Sequence, residues 1–349
     1  MAGGVGSRFW PKSKQSLPKQ FLDFLGTGET LIQQTYKRFS SFVDDENFLV
    51  VTNAAYKDLV LEQLPALNEN QVLLEPEMRN TAPCIAYAVH KIAAITDDAN
   101  LIITPADHLI LRQSAFETVM KKCLAHTANN NDLLTLGITP SRPDTGYGYI
   151  ESEMGEGEIK KVKQFREKPD LATAKEFISQ ENFSWNSGMF VWSLKTILQS
   201  FERDLPQINS LFATGKDHYH TSEEQAFIDS IYHGCESISI DYGIMEKADN
   251  VFTINADIGW SDLGTWGSVY TLMDKDASKN ALVGDKILLN EGSDNLVQSI
   301  PGKVTVIDGL HDFIVVDTTE SLMIIRKEKE QEIKQLRAKV GEQFGNDFI

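Results

Sequence analysis

Two rhythms of apolar positions alternate through the first 140 residues. LIQQTYKRFS, residues 31–40, carries its apolar side chains at helical spacing. ENFLVVT, residues 46–52, is instead a short run of the kind a buried strand requires. The alternation continues with a helix over 54–64 and a strand at QVLLE, 71–75. RNTAPCIAYAVHKIAAI then reads as a helix, with Thr81 as its N-cap, Pro83 near the first turn, and Ile85, Val89 and Ile92 on one face. NLIITPADH is a strand that runs into a loop, 114–128 a helix, and DLLTLGI, 132–138, a further strand. Apolar strands alternating with amphipathic helices predict an α/β fold, a Rossmann-like mixed and mostly parallel sheet with helices on both faces.

The texture changes after residue 140. TGYGYIES and IKKVKQFREKPD are polar strand-like stretches, followed by a helix at 171–180, SWNSGMFVW, and a helical region over 194–230. From Asn280 onward, ALVGDKILLN, NLVQSI, VTVIDGL, DFIVVDTT and SLMIIRKE read as five short strands separated by turn residues. They predict a small β-domain, either a short coil of parallel strands or a small sandwich. The expected organisation is a large domain over 1–273, a β-domain over 280–326, and a C-terminal helix and tail over 327–349.

Composition narrows the function more than the fold. The chain has 349 residues and a formal net charge of -17, which disfavours a nucleic-acid partner because such binding needs a basic face. No apolar run reaches bilayer length, and no leader of the secretory type opens the chain, so neither a membrane partner nor secretion is expected. Three separated cysteines, Cys84, Cys123 and Cys235, make neither a disulfide framework nor a zinc cluster, which fits a reducing cytoplasm.

Local chemistry is concentrated at the start, in MAGGVGSRFWPKSKQSLPKQF. Gly3, Gly4 and Gly6, with Ser7, let backbone N–H groups approach an anion; the same glycines also suit a plain tight turn. No Gly-Lys-[Ser/Thr] follows, so this is not a P-loop, and Phe9 stands where the third glycine of a dinucleotide fingerprint belongs. Arg8 and Lys19 tip the balance toward phosphate. Two cations on a segment restricted by Pro11 and Pro18 can grip two phosphates and neutralise charge on a leaving pyrophosphate. Lys12 and Lys14 read as solvated surface charge.

This opening block resembles the signature of the sugar nucleotidyltransferases, and within them the mannose-1-phosphate guanylyltransferases. EPEMRNTAP, PADH, TGYGYIE, FREKPD, NSGMF, SIDYGIMEK and DIGWSDLGTW follow in the order of the family's blocks and cover nearly the whole chain. The resemblance implies a transfer in which mannose 1-phosphate and GTP give GDP-mannose and pyrophosphate, with Mg2+ as cofactor. Asp107, after an apolar strand expected to be parallel, and Asp262, in a second post-strand loop, are the family's metal positions. Two hard oxygen ligands plus phosphate oxygens and water suit that ion. His108 reads as a structural neighbour.

The resemblance places the base near Glu75, whose carboxylate can accept from guanine N1–H and N2–H; a surface acid before Pro76 is the other reading. Asn80 and Thr81 are nucleotide contacts or helix caps. On the sugar side fall Gly146, Tyr147, Gly148, Glu167, Lys168, Asn186 and Asp241, with Glu246 as a further candidate. Lys168 would meet the sugar phosphate, and Glu167 and Asn186 the sugar hydroxyls. Trp185 and Trp192 read as core, as does the ring of Tyr147. The alternatives are another sugar phosphate or NTP, a sugar-nucleotide sensor without activity, and, from the glycines alone, an NAD-dependent oxidoreductase. A second, isomerase-type domain is not expected after residue 273, and a homodimer is. In the family an apolar strand runs directly into Ala-Gly-Gly. Here Met1 stands two residues before Gly3, so Met1 is expected to be internal to a longer protein.

Overall fold

The computed structural model describes residues 1–166 and 168–349; Glu167 lies outside the described residues. The chain divides into two compact units. Unit 1 comprises Met1–Gly3, Arg38–Pro105 and Ile110–Trp260, and unit 2 comprises Gly4–Lys37, Ala106–Leu109 and Ser261–Ile349. The units cut across the contiguous segments read from the sequence: the glycine-rich opening belongs with the C-terminal strands.

Unit 1 is built on eight strands. β1 (Val50–Asn53) and β2 (Val72–Glu75) pair in parallel, Val50 opposite Val72. The other edge of β1 is met by the opening residues: Ala2 N donates to Val51 O at 2.8 Å, and Thr52 Oγ1 donates to Ala2 O at 2.9 Å. The Met1 amino group donates to Thr104 O at 2.9 Å. A six-stranded sheet follows from β3 (Asn100–Ile103), β4 (Leu133–Ile138), β5 (Tyr149–Ser152), β6 (Ile159–Arg166), β7 (Phe183–Ser193) and β8 (Val251–Ala256), in the order β3-β7-β4-β8-β6-β5.

The mixed α/β class holds, but the pairing corrects its mostly parallel character. Within this sheet only β4 and β8 run parallel, Leu133 opposite Val251; β3, β5 and β4 all pair antiparallel to β7. Apolar runs report burial on both faces, which an antiparallel strand under helices shares with a parallel one. β4 is buried along its whole length. Leu133 points into the core with Trp192, Phe201, Phe212 and Tyr232, and Leu134 and Leu136 into the core with Phe116, Met120 and Ile254. Strand direction is therefore invisible in the pattern that found the strand.

Helix Thr81–Ala93 is buried along ten of its residues, from Ala82 to Lys91. Its N-cap is Asn80, whose Oδ1 accepts from Thr81 N at 3.0 Å, one residue before the expected cap. Thr81 Oγ1 instead accepts from Ile240 N at 2.8 Å, tying the helix to the turn Asp241–Met245. The region expected as one helical stretch is three helices, Leu194–Asp204, Pro206–Ala213 and Glu224–Tyr232. The cysteines are buried and free of disulfide bonds.

Unit 2 contains six short strands, one more than the pattern indicated, because Gly284 at φ 143° splits the first run. β9 (Ala281–Val283), β11 (Leu296–Gln298) and β13 (Phe313–Asp317) stack in parallel, and so do β10 (Ile287–Asn290) and β12 (Thr305–Asp308). This is the coil of parallel strands, closed by β14 (Leu322–Arg326) antiparallel to β13. Buried Asn280 and Asn295 link successive turns: Asn280 Oδ1 accepts from Asn295 N, and Asn295 Oδ1 from Phe313 N, each at 3.0 Å. Ala281, Leu296 and Ile314 line an apolar interior shared with Phe9, Trp10, Phe24, Trp266 and Ile333.

Candidate active site

The glycine-rich opening makes its turn at Gly6. Its φ of 66° is left-handed, and a Cβ there would lie 2.5 Å from Lys19 Cβ, so only glycine fits. A single turn, Ser7–Phe9, follows, closed by Phe9 N donating to Gly6 O at 2.9 Å. Phe9 is fully buried against Phe24 and Trp266, at ring-centroid distances of 4.5 and 5.1 Å. Arg8, immediately before Phe9 in sequence, is exposed. Burial of Phe9 therefore fixes the turn that presents Arg8.

Gly6, Ser7, Arg8, Lys19, Asp107 and Asp262 converge on one cavity of about 310 Å³, whose wall also includes Phe9, His108, Leu263 and Gly264. All belong to unit 2. Gly4 is exposed nearby in sequence, and Gly3 belongs to unit 1; neither lines the cavity. Lys19 is buried, with Nζ 3.1 Å from Asp107 Oδ2 and donating to Asp262 O at 2.5 Å. Burial by itself would raise the Asp107 carboxyl. The Lys19 charge, with His108 beside it, outweighs that and holds it below the usual range. Asp107 sits four residues beyond β3, and β3 pairs antiparallel with β7, so the expectation of a parallel strand feeding this carboxylate is corrected.

Two carboxylates on one cavity, with Lys19 bridging toward both residues, fit a hard divalent cation that takes most of its ligands from phosphate and water. They do not form a closed protein cage: among the described residues no group of three or more His, Cys, Asp or Glu is placed to hold a metal.

Unit 1 holds the residues expected at the base and the sugar. Glu75 ends β2 and is buried; the Tyr232 hydroxyl donates a short hydrogen bond to its Oε1. Burial raises the Glu75 carboxyl, and the Tyr232 bond partly offsets this. Gly3 lies beside Glu75: a Cβ there would sit 3.5 Å from Glu75 Oε2, an ordinary van der Waals contact. The surface-acid reading of Glu75 is therefore corrected: the strand end is inside. Asn80 is exposed at the helix start.

Asn186 and Asp241 come together on this unit. Asn186 Nδ2 donates to Asp241 Oδ1 at 2.8 Å, while its Oδ1 accepts from Gly188 N at 3.0 Å. Gly148 joins the same region, its carbonyl accepting from Asn186 N at 2.8 Å. Tyr147 packs edge-on against Trp185 and Trp260, each at 5.1 Å, and Gly146 N donates to Asp144 Oδ1 at 2.8 Å. Lys168 and Glu246 are exposed. Tyr232, at the end of a helix, carried no signal in the sequence beyond a position on an apolar face. Leu263 and Gly264 could have been found only as neighbours of Asp262.

A loop that presents a cation, a buried lysine and two carboxylates over one cavity brings together, on an α/β scaffold, the kinds of group that handling a phosphate requires. The family model described as "Nucleotidyl transferase" matches residues 1–279, and the chain belongs to that family. Within it, the chain is 34% identical over 346 residues to a mannose-1-phosphate guanylyltransferase of Escherichia coli, covering 96% of this chain and 74% of that protein. It is 36% identical over 343 residues to the alginate biosynthesis protein AlgA of Pseudomonas aeruginosa, covering 96% and 70%. Among solved structures, one described as mannose-1-phosphate geranyltransferase from Thermus thermophilus superimposes with a TM-score of 0.87 at 27% identity, covering 97% of each chain.

Proposed function

We propose that this enzyme joins mannose 1-phosphate to GTP, releasing pyrophosphate and GDP-mannose. Supporting this reading is the convergence of Gly6, Ser7, Arg8, Lys19, Asp107 and Asp262 on one cavity, in a chain whose relatives bear that activity in their names. A phosphate oxygen of the sugar phosphate attacks the GTP α-phosphorus in line. The new O–P bond forms as the α–β bridging bond breaks, and pyrophosphate leaves with the electron pair. The nucleophile is already an anion at neutral pH, so no protein base has to remove a proton. The protein's part is placement and charge neutralisation.

Arg8 and Lys19 bind the triphosphate and meet charge developing on the leaving group. Asp107 and Asp262 would hold Mg2+, which supplies charge neutralisation across the phosphates when bound. Lys168 meets the sugar phosphate. Asn186 and Asp241, already paired, accept and donate to sugar hydroxyls, with Gly146, Tyr147 and Gly148 beside them. Glu75 accepts from the guanine edge, with Gly3, Gly4, Asn80 and Thr81 as further nucleotide contacts. The enzyme acts as a homodimer in the cytoplasm. Incubating the purified protein with each NTP and each sugar 1-phosphate tests the reading by product chromatography and pyrophosphate release. GDP-mannose from GTP and mannose 1-phosphate is the expected product. Preference for another pair, or no release with any, would sink it.

A further inference from the structure

The Ser7–Phe9 turn is held by more than its own hydrogen bonds. Trp10, the next residue, is 7% exposed, and its indole Nε1–H donates to Phe348 O at 2.7 Å, a partner 338 positions away. Phe348 lies in a terminal turn, Asn346–Phe348, that follows helix Ile333–Phe344. The same end of the chain is fastened again by Gln15 N donating to Ile349 O at 3.3 Å. Leu336 and Val340 of the helix pack on the apolar cluster that contains Phe9 and Trp10. Inside the loop, Trp10 N donates to Ser7 O at 3.4 Å and Ser13 Oγ to Val5 O at 2.6 Å. The residue carrying the indole is thus hydrogen-bonded directly to Ser7, which lines the cavity beside Arg8. All of these groups belong to unit 2.

We propose that Trp10 and the terminal turn Asn346–Phe348 are positioning elements for the nucleotide phosphates: the Phe348 carbonyl fixes the indole, and the indole fixes the Ser7–Phe9 turn. Neither element touches substrate. The inference rests on the reading of this loop as the triphosphate site. A purely structural bond would lower the melting temperature and leave nucleotide affinity alone. A positioning bond weakens GTP binding with little change in melting temperature, because the Trp10→Phe ring still fills the apolar pocket and the half-buried Phe348 carbonyl is left to bond water.

The test is a double-mutant cycle of Trp10→Phe and removal of residues 346–349, with GTP affinity in Mg2+ read by calorimetry and melting temperature read alongside. Trp10→Phe is expected to raise the GTP dissociation constant about fivefold, the size of one hydrogen bond, and the truncation, which also removes the Gln15–Ile349 bond, by at least as much. The combined variant should be no weaker than the worse single one, and the KM for mannose 1-phosphate should stay within about twofold of the original, an interaction that this hydrogen bond does not reach. Unchanged affinity in both single variants, or losses that add in the double variant, overturns the inference while leaving the activity reading intact. A wild-type protein that binds no GTP overturns both.

Discussion

The two units handle recognition in contrasting ways. In unit 2 the charges are gathered from three short segments: Arg8, Lys19, Asp107 and Asp262 meet on one cavity, and Lys19 is held between the Asp107 carboxylate and the Asp262 backbone carbonyl. In unit 1 the groups proposed to read chemical identity are hydrogen-bonded into the scaffold itself, Glu75 to Tyr232 and Asn186 to Asp241. In the proposed reading, charge that must follow a moving phosphate is presented on a turn. Groups that must tell one hydroxyl or base from another are held by a second side chain, since an unpaired polar group at a dry site makes rejection sharp.

The contrast can be broken most severely at Asp107. Asp107→Ala should abolish metal-dependent turnover while circular dichroism shows the fold retained; a fully active variant would remove the metal assignment. Next in size is Arg8→Ala, expected to lower kcat by about 100- to 1000-fold, the scale of losing one group that stabilises transition-state charge. Steady-state kinetics would show whether the loss falls on kcat, as for a charge-stabilising group, or on KM alone.

Asn186→Ala should act on unit 1's side of the comparison. It is expected to raise the KM for mannose 1-phosphate about tenfold and to narrow the preference over an epimer, with GTP affinity unaltered. Equal loss with both substrates would contradict a sugar-reading role. Glu75→Gln should weaken selection of GTP over other NTPs while raising the melting temperature at neutral pH. The sign follows from burial: the Glu75 carboxyl is raised in the folded state, so its ionisation destabilises the fold as pH rises above the unfolded value. The gain from Gln should vanish in melting curves taken toward pH 4.

The smallest effect is expected at Lys12, which the sequence offered as surface charge. Its Nζ donates to Asp23 O at 2.5 Å and to Gln298 Oε1 at 2.8 Å, and burial lowers its pKa to about 8. Between that value and about 10.4 the unfolded chain keeps the proton that the folded one has lost, so stability should rise with pH across the interval. Lys12→Met should flatten that slope in denaturant titrations, and an unchanged slope would return Lys12 to the surface.

The residues that converge on the cavity could be singled out in the sequence because few structural roles demand these types together: glycines, an arginine and a lysine flanking two prolines, and aspartates after apolar runs. The sugar and base side could be proposed only through resemblance, since an asparagine or glutamate that reads a ligand looks the same as one that caps a helix. Asn80 shows the ambiguity directly, capping the helix that Thr81 was expected to cap. Strand direction escaped the pattern for a different reason, because burial on two faces does not encode polarity. Lys12 escaped because a lysine's long stem can be buried beneath neighbours that lie hundreds of residues away, as Gln298 does.

The discontinuous make-up of unit 2 has a consequence for the order of events during synthesis. Its first segment, Gly4–Lys37, emerges from the ribosome roughly 220 residues before the segment beginning at Ser261, which at about 5–20 residues per second is a wait on the order of ten to forty seconds. Throughout that interval Phe9, Trp10 and Phe24 have no Trp266, Leu296 or Ile314 to bury against. The nascent loop is then an exposed apolar segment of the kind chaperones hold. Ribosome-bound chains arrested before Ser261 are therefore expected to aggregate more readily than chains released complete, which sedimentation of arrested and released chains would check.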